Sequence, residues 1–292
     1  MKITIAGSLG NVSKPLAQEL LGAGHELTII TSSTDRKADI EALGAAAAVG
    51  SVGDAAFLER AFTGADAVYT MTPPGMGGSN IIANTAAAGK AYAEAIRNAG
   101  VTRVVMLSSI GADQSGENGP IRGLYHIEQI YHDLPSVAVT YLRAGFFYNN
   151  FFNDIPLIRG LNIMGGNYPG TTKIPLVHPA DIAAAAAGEL QKEAAGKEVR
   201  YIVSDERTPE EAASTLGAAI GKPGLPWVEF TDDQSLQGML QAGLPAELAE
   251  LYTEMGRGLR TGIIQRHFYE TGAPVTGLVK LEQFAGEFAA KF

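Results

Sequence analysis

The sequence predicts an α/β fold: a doubly wound parallel sheet with a smaller C-terminal lobe. Three observations lead there. A short apolar run, Ile3 to Ala6, empties into Gly7, with Gly10 three residues later and an amphipathic stretch, Pro15 to Gly24, behind it. Strand and helix signals then alternate as far as Leu142, the pattern that builds a parallel sheet with helices on both faces. Beyond Arg143 this rhythm breaks into short extended pieces and separate helices.

In the first element, Ile3 to Ala6 reads as a buried strand, and Leu16, Leu20 and Leu21 fall at helical spacing behind it. A glycine turn joining strand to helix aims unpaired backbone N–H groups at one point, where the helix dipole favours an anion. Gly7 permits the tight turn, and Gly10 lets the pyrophosphate of a dinucleotide approach the backbone. Leu9, Asn11 and Val12 complete this candidate cradle. The spacing is GxxGxxS, with Ser13 where a third glycine would let helix and strand pack closely. An ordinary strand–helix turn is the alternative.

Leu27 to Thr31 is a second buried strand, closing a βαβ unit of the length that parallel pairing needs. An NAD-preferring site carries Asp or Glu at the end of this strand, whereas here the chain reads Thr31-Ser-Ser-Thr-Asp-Arg-Lys37. The hydroxyls of Ser32 and Ser33, with the cations Arg36 and Lys37, suit a 2′-phosphate better than a bare ribose diol. NADP(H) is therefore favoured, with NAD(H) as the alternative. The other reading of the two cations is a solvated first helical turn. Asp35 is expected to cap the helix that starts there.

A helix at 36–43 and an Ala-rich strand at 46–49 come next, then a helix at 55–62 and a strand at 67–71. A long helix at 80–99 leads to a strand at 103–107, a helix at 124–134 and a strand at 137–142. Extended pieces follow at 161–164, 173–177, 198–203 and 227–230, with helices at 180–192, 209–220, 232–242, 246–259 and 278–291. The expected organisation is a dinucleotide-binding domain over 1–150 and a mixed segment, 151–292, that completes the sheet and forms a small α/β lobe. The alanines at 45–48 and 183–187 read as close-packing surfaces.

At 292 residues, with 46% hydrophobic and 18% charged, the chain has an ordinary globular balance. A net charge of −9 without a basic run lacks the electrostatic footprint of nucleic-acid or anionic-membrane binding. The absence of cysteine excludes disulfides, thiolate catalysis and cysteine metal sites. Met1 leads directly into the first strand and no apolar run is long enough to span a bilayer, so a cytoplasmic location is expected. The protein is expected to act on a small molecule, as a monomer or homodimer.

Ligands of such sheets sit at the carboxyl ends of the strands, around the reversal of strand order. Asp54, after the third strand, either contacts the adenine amino group or caps the following helix, and the two roles are compatible. Thr72, Pro73 and Pro74 end the fourth strand in a stiff turn that relaxes through glycines, either lying along the nicotinamide ribose or forming a plain proline turn. Ser108, at the end of the fifth strand, either polarises a substrate carbonyl or satisfies the strand end. After the sixth strand, the aromatic run Phe146 to Phe152 places Phe147 and Tyr148 where they either stack on a flat ligand or pack internally. His25, His132 and His267 are scattered, so no metal site is proposed.

Gly7-x-x-Gly10, Gly53-Asp54, Leu107 to Ala112, Tyr141 to Asn150 and Val177 to Ala183, taken in order, resemble the NmrA-like group of atypical short-chain dehydrogenases/reductases. The likeness covers nearly the whole chain, including 231–268. It implies a Rossmann-like domain that binds NADP(H) or NAD(H) and a small C-terminal substrate lobe. It implies, too, either an NAD(P)H-dependent quinone, azo-dye or triphenylmethane reductase or a catalytically silent redox sensor. It further implies that His126 contacts the nicotinamide ribose, and that His178, Pro179 and Asp181 open the next helix in a structural role.

The departure lies at the catalytic centre. Short-chain dehydrogenases usually place Tyr and Lys four residues apart on one helix, the lysine lowering the phenol pKa. Here Tyr125 is followed four residues on by Gln129, which carries no charge. Tyr125 therefore reads as a wall rather than a titrating acid, and His126 either relays a proton or is a half-exposed helix residue bonded to a loop. A sugar-nucleotide epimerase needs the Tyr–Lys pair and is disfavoured. The expected function is hydride transfer to a flat electron-poor acceptor such as a quinone or azo compound, with a non-catalytic NADP(H)-binding sensor as the alternative.

Overall fold

The computed structural model describes residues 1–73, 76 and 78–292. Its first half alternates as β1 (Lys2–Ile5), α1 (Ser13–Gly22), β2 (Glu26–Thr31), α2 (Lys37–Leu43), β3 (Ala46–Val49), α3 (Ala55–Phe62), β4 (Ala67–Thr70), α4 (Ile81–Asn98), β5 (Arg103–Ser109), α5 (Ile121–His132) and β6 (Ala138–Ala144). Then come β7 (Phe146–Phe147), α6 (Ile155–Leu161), β8 (Met164–Gly166), β9 (Ile174–Val177), α7 (Pro179–Leu190) and β10 (Lys197–Ile202). The chain closes with β11 (Asp205–Arg207), α8 (Pro209–Ala219), β12 (Trp227–Glu229), α9 (Asp232–Gln241), α10 (Ala246–Thr261), α11 (Arg266–Glu270) and α12 (Leu281–Lys291).

The main sheet has seven strands in the order β10-β6-β5-β4-β1-β2-β3. β1 pairs in parallel with β2 on one side and β4 on the other, Ile5 standing opposite Ile29 and Tyr69. Strand order reverses here, so the ligand crevice of this sheet type opens beyond the carboxyl ends of β1, β2 and β4. β4 and β6 are buried at every residue, as expected of strands covered on both faces. β3 is an edge strand, and of the alanines at 45–48 Ala45 is buried, Ala48 packs half-buried against the core, Ala47 is half-buried and Ala46 is exposed. Those at 185–187 in α7 are buried.

The chain divides into two interleaved units. The first unit is Met1–Ser109, Gly123–Arg143 and Ile182–Arg200. The physical reason is that β10 is needed beside β6, so the chain must return to finish the sheet. In this unit's core Phe62 stacks on Tyr92 at 6.2 Å, among Leu58, Val104, Met106, Ile127 and Tyr131. α5 lies close to α4 because a Cβ on Gly89 would fall 2.7 Å from Ile127 Cγ1, and one on Gly123 2.7 Å from Thr85 Cγ2. These two positions hold α5, which carries Tyr125 and His126, against α4.

The second unit is Ile110–Arg122, Ala144–Asp181 and Tyr201–Phe292. It contains a three-stranded sheet, β11-β9-β7, and the two-stranded β12-β8. Its core gathers Tyr148, Phe151, Leu176, Leu216, Phe284 and Phe288. Among the described residues no helix is long and apolar enough to cross a membrane.

Candidate functional site

The turn after β1 is built as a cradle. Gly7 has φ +103°, and a Cβ there would lie 2.4 Å from Ser13 Oγ and 3.1 Å from the Met71 side chain. Ser13 is more than a small stand-in for glycine: its buried hydroxyl donates to the Ala6 carbonyl at 2.9 Å, tying helix start to strand end. Gly10 N–H donates to the Gly7 carbonyl at 3.1 Å and closes the turn. α1 starts from Val12, which provides no side-chain cap. Among the described residues no backbone acceptor meets the amides of Leu9, Asn11 or Val12. Helices elsewhere in the chain, such as α3, α8 and α9, start from Asp or Thr caps. An uncapped, dipole-positive start beside a turn with no room for a side chain fits a diphosphate.

The end of β2 is stitched to this turn. Ser8 adopts φ +55°, its amide donates to the Ile30 carbonyl at 2.9 Å, and its hydroxyl donates to Thr31 Oγ1 at 3.1 Å. Ser33 caps the short 3-10 turn Thr34–Arg36, its Oγ accepting from the Asp35 amide at 3.3 Å. Asp35, the expected cap, sits instead inside the turn, two residues past Ser33, which holds the extended conformation that a cap requires. Ser32 and Arg36 are exposed, and the Arg36 guanidinium has no partner among the described residues. Lys37 lies 3.8 Å from Glu41 in a solvated pair.

Asp54 caps α3, its Oδ1 accepting from the Phe57 amide at 3.0 Å, which leaves Oδ2 for a ligand. Beyond β4, Thr72 is half-buried and Pro73 exposed, while Pro74 lies outside the described residues. The following loop is tied to α4 by Asn84, whose Nδ2 donates to the Met76 and Ser79 carbonyls at 2.9 and 2.8 Å.

On α5, Tyr125 and His126 are half-buried, their rings edge-on at 5.5 Å. Neither side chain hydrogen-bonds another described residue, so the loop bond considered for His126 is not made. Gln129 is exposed. Ser108 does not present a free proton to substrate: its buried hydroxyl donates to Glu128 Oε1 at 2.6 Å. Glu128 in turn receives Arg143 through Nε at 3.1 Å and Nη2 at 2.7 Å. Burial, with the Glu128 charge nearby, pushes the Tyr141 phenol above its ordinary pKa, and its hydroxyl donates to the Glu128 carbonyl at 3.2 Å. This knot beneath α5 needs β5 and β6 side by side, which no local sequence signal reveals.

In the second unit, Tyr148 is fully buried, its ring 5.2 Å from Phe284 and its hydroxyl donating to the Val279 carbonyl. It is a core residue and offers no face to a ligand. Phe152 stacks on Phe288 at 5.9 Å, so much of the aromatic run seats α12. Phe147 is half-buried and keeps the candidate substrate role. Asp181 opens α7, and its carboxylate anchors the extended segment after α11, accepting from the Leu278 and Val279 amides at 3.0 and 3.1 Å. His178 Nδ1 accepts from the Ala180 amide at 3.1 Å.

Residues 7–145 match the NAD(P)H-binding domain family. A (4-alkanoyl-5-oxo-2,5-dihydrofuran-3-yl)methyl phosphate reductase of Streptomyces griseus is 29% identical, over 89% of this chain and 88% of that protein. An NAD(P)H azoreductase of Xenophilus azovorans is 26% identical over 99% of each. Among solved structures, an NADPH-dependent quinone oxidoreductase from Escherichia coli, complexed with NADPH, shares the fold with a TM-score of 0.81 at 21% identity, covering 98% of this chain and 99% of that one. The matched segment begins at the first glycine of the cradle and runs through β6.

Proposed function

We propose that the protein is an NAD(P)H-dependent reductase passing hydride to a flat, conjugated, electron-poor acceptor, with NADP(H) favoured over NAD(H). The observation that carries this reading is on α5, where exposed Gln129 stands in place of the lysine that would charge-tune Tyr125. Reducing an isolated carbonyl needs a strong proton donor as the hydride arrives. A conjugated acceptor spreads the incoming electron pair over its own π system and takes its proton afterwards from water or a weak donor. The acceptors in the relatives' names share this property: an azo bond, a quinone, and a lactone ring alkene conjugated to two carbonyl groups.

When bound, the dinucleotide supplies the hydride from its nicotinamide ring. The chain's own part is binding and orientation. The Gly7 turn and the open amides of Leu9, Asn11 and Val12 that lead into α1 hold the diphosphate; Ser32, Ser33 and Arg36 face the 2′-phosphate; Asp54 Oδ2 meets the adenine. Thr72, Pro73 and His126 border the nicotinamide ribose, with a His126 ring nitrogen free to give a proton. Tyr125 serves as a wall for a flat acceptor.

The test is oxidation of NADPH by the purified protein with a quinone, an azo dye and a triphenylmethane dye, followed by nicotinamide absorbance. Turnover above the protein-free blank with at least one acceptor supports the reading. Tight binding of NADP(H) with no turnover of any acceptor would replace it with the redox sensor.

A further inference from the structure

Thr31 stands between the two phosphate-facing loops and has a use for its hydroxyl that a β-strand residue does not ordinarily need. The side chain is buried at 2% exposure, at the last position of β2. Its Oγ1 accepts from the Ser8 hydroxyl at 3.1 Å and from the Ser33 amide at 3.2 Å, and donates to the Ser33 carbonyl at 3.4 Å. A hydroxyl has one proton and two lone pairs, so these three bonds use all of its capacity. The same Ser33 carbonyl accepts the Arg36 amide at 3.3 Å. A continuous chain of bonds thus runs from Ser8 in the diphosphate turn, through Thr31 and Ser33, to the backbone of Arg36.

Ser8 is committed to this linkage by its backbone too. It holds φ +55°, a region that L-residues other than Asn and Asp seldom adopt. That conformation lets its amide and its hydroxyl reach neighbouring atoms of one strand end. On the far side, the Gly50 amide donates to the Thr31 carbonyl at 2.9 Å, so the residue is fixed by backbone and side chain alike.

We propose that Thr31 is a specificity-determining positioning residue: its hydroxyl sets the Arg36 loop relative to the diphosphate turn, so that NADP(H) is preferred over NAD(H). The proposal rests on the reading of the Gly7 turn as a dinucleotide cradle. Both cofactors share the diphosphate, and only NADP(H) carries a 2′-phosphate for the loop that Thr31 holds. Loss of the hydroxyl therefore penalises one cofactor and spares the other.

The experiment is fluorescence titration of the purified full chain with NADPH and with NADH. Thr31→Val keeps the shape and removes the hydroxyl; it is expected to raise the Kd for NADPH about tenfold, the worth of about one hydrogen bond to the ligand, and that for NADH less than about twofold. Thr31→Ser, which keeps the hydroxyl, is expected to restore the wild-type ratio. In an Arg36→Ala background, Thr31→Val is expected to add nothing to the loss for NADPH, because the two act through one contact. Equal losses for both nucleotides, a Thr31→Ser variant as poor as Thr31→Val, or simple additivity with Arg36→Ala would each overturn the proposal. If the wild-type chain binds neither nucleotide, the cradle reading itself fails and the proposal falls with it.

Discussion

Glu128 and Arg143 meet beneath α5 in a two-point ion pair, Oε2 to Nη2 at 2.7 Å and Oε1 to Nε at 3.1 Å, with both side chains under 10% exposed. Ser108 supplies a third bond to the same carboxylate. A helix that carries two candidate active-site rings is thereby fastened to β5 and β6 through one side chain.

Removing one member of that pair leaves the other charge buried and alone. Glu128→Ala is expected to cost about 3–5 kcal/mol in urea unfolding, while a double replacement of Glu128 and Arg143 by Leu and Met recovers most of it. Equal destabilisation in the single and double variants would show that the charge pair is not the origin of the loss.

Arg36 is exposed and unpartnered among the described residues, so its truncation leaves the fold unstrained. Arg36→Ala is expected to weaken NADPH about 10- to 100-fold in isothermal titration, the worth of a charge-assisted phosphate contact, with NADH changed less than about twofold. Parallel losses would remove the 2′-phosphate assignment.

With Gln129 rather than lysine four residues on, the Tyr125 phenol lacks the cation of the usual Tyr–Lys pair. Tyr125→Phe is expected to lower kcat with a quinone by less than about tenfold, against the typical 10²–10⁴-fold worth of a true general acid. A loss of a thousandfold with KM unchanged would make Tyr125 the proton donor.

Asp154 in the second unit has its carboxyl pKa pushed up to about 7 by burial, against a lowering contribution from the Gly165 backbone. In the unfolded chain the same group titrates at about 4, so between these values the folded state holds the extra proton. Its contribution to stability is therefore fully present below about pH 4 and is lost as pH rises through about 7. Asp154→Asn, neutral throughout, is expected to match the wild type below about pH 4 and to exceed it by about 2–4 kcal/mol at pH ~8 in denaturant melts. A constant difference across that range would remove Asp154 from the pH response.

The alternation of β1 to β6 is legible in the sequence because strands covered on both faces are continuous apolar runs punctuated by glycine and proline. The short elements of the second unit are not. β7 has two residues and β11 three, and both pair with β9, so neither carries a period of its own. At the site, the Gly7 turn and the Ser32–Arg36 loop are readable from local chemistry. The commitment of Ser108 to Glu128 and the burial of Tyr148 depend on partners 20 to more than 130 residues away. A hydroxyl at a strand end looks the same in sequence whether it faces a ligand or a buried carboxylate.

β10 reaches the sheet only after the chain has passed residue 196, yet it is the strand that covers β6. A fragment ending at residue 145, where the family match stops, would leave β6, buried along its whole length, as a bare apolar edge with unpaired backbone groups. Such a fragment should self-associate rather than bind nucleotide. During synthesis, too, the sheet cannot close until some two hundred residues have emerged, so the nascent chain carries a sticky strand through much of its translation. The recognisable nucleotide-binding segment is thus a unit of ancestry but not a unit of folding.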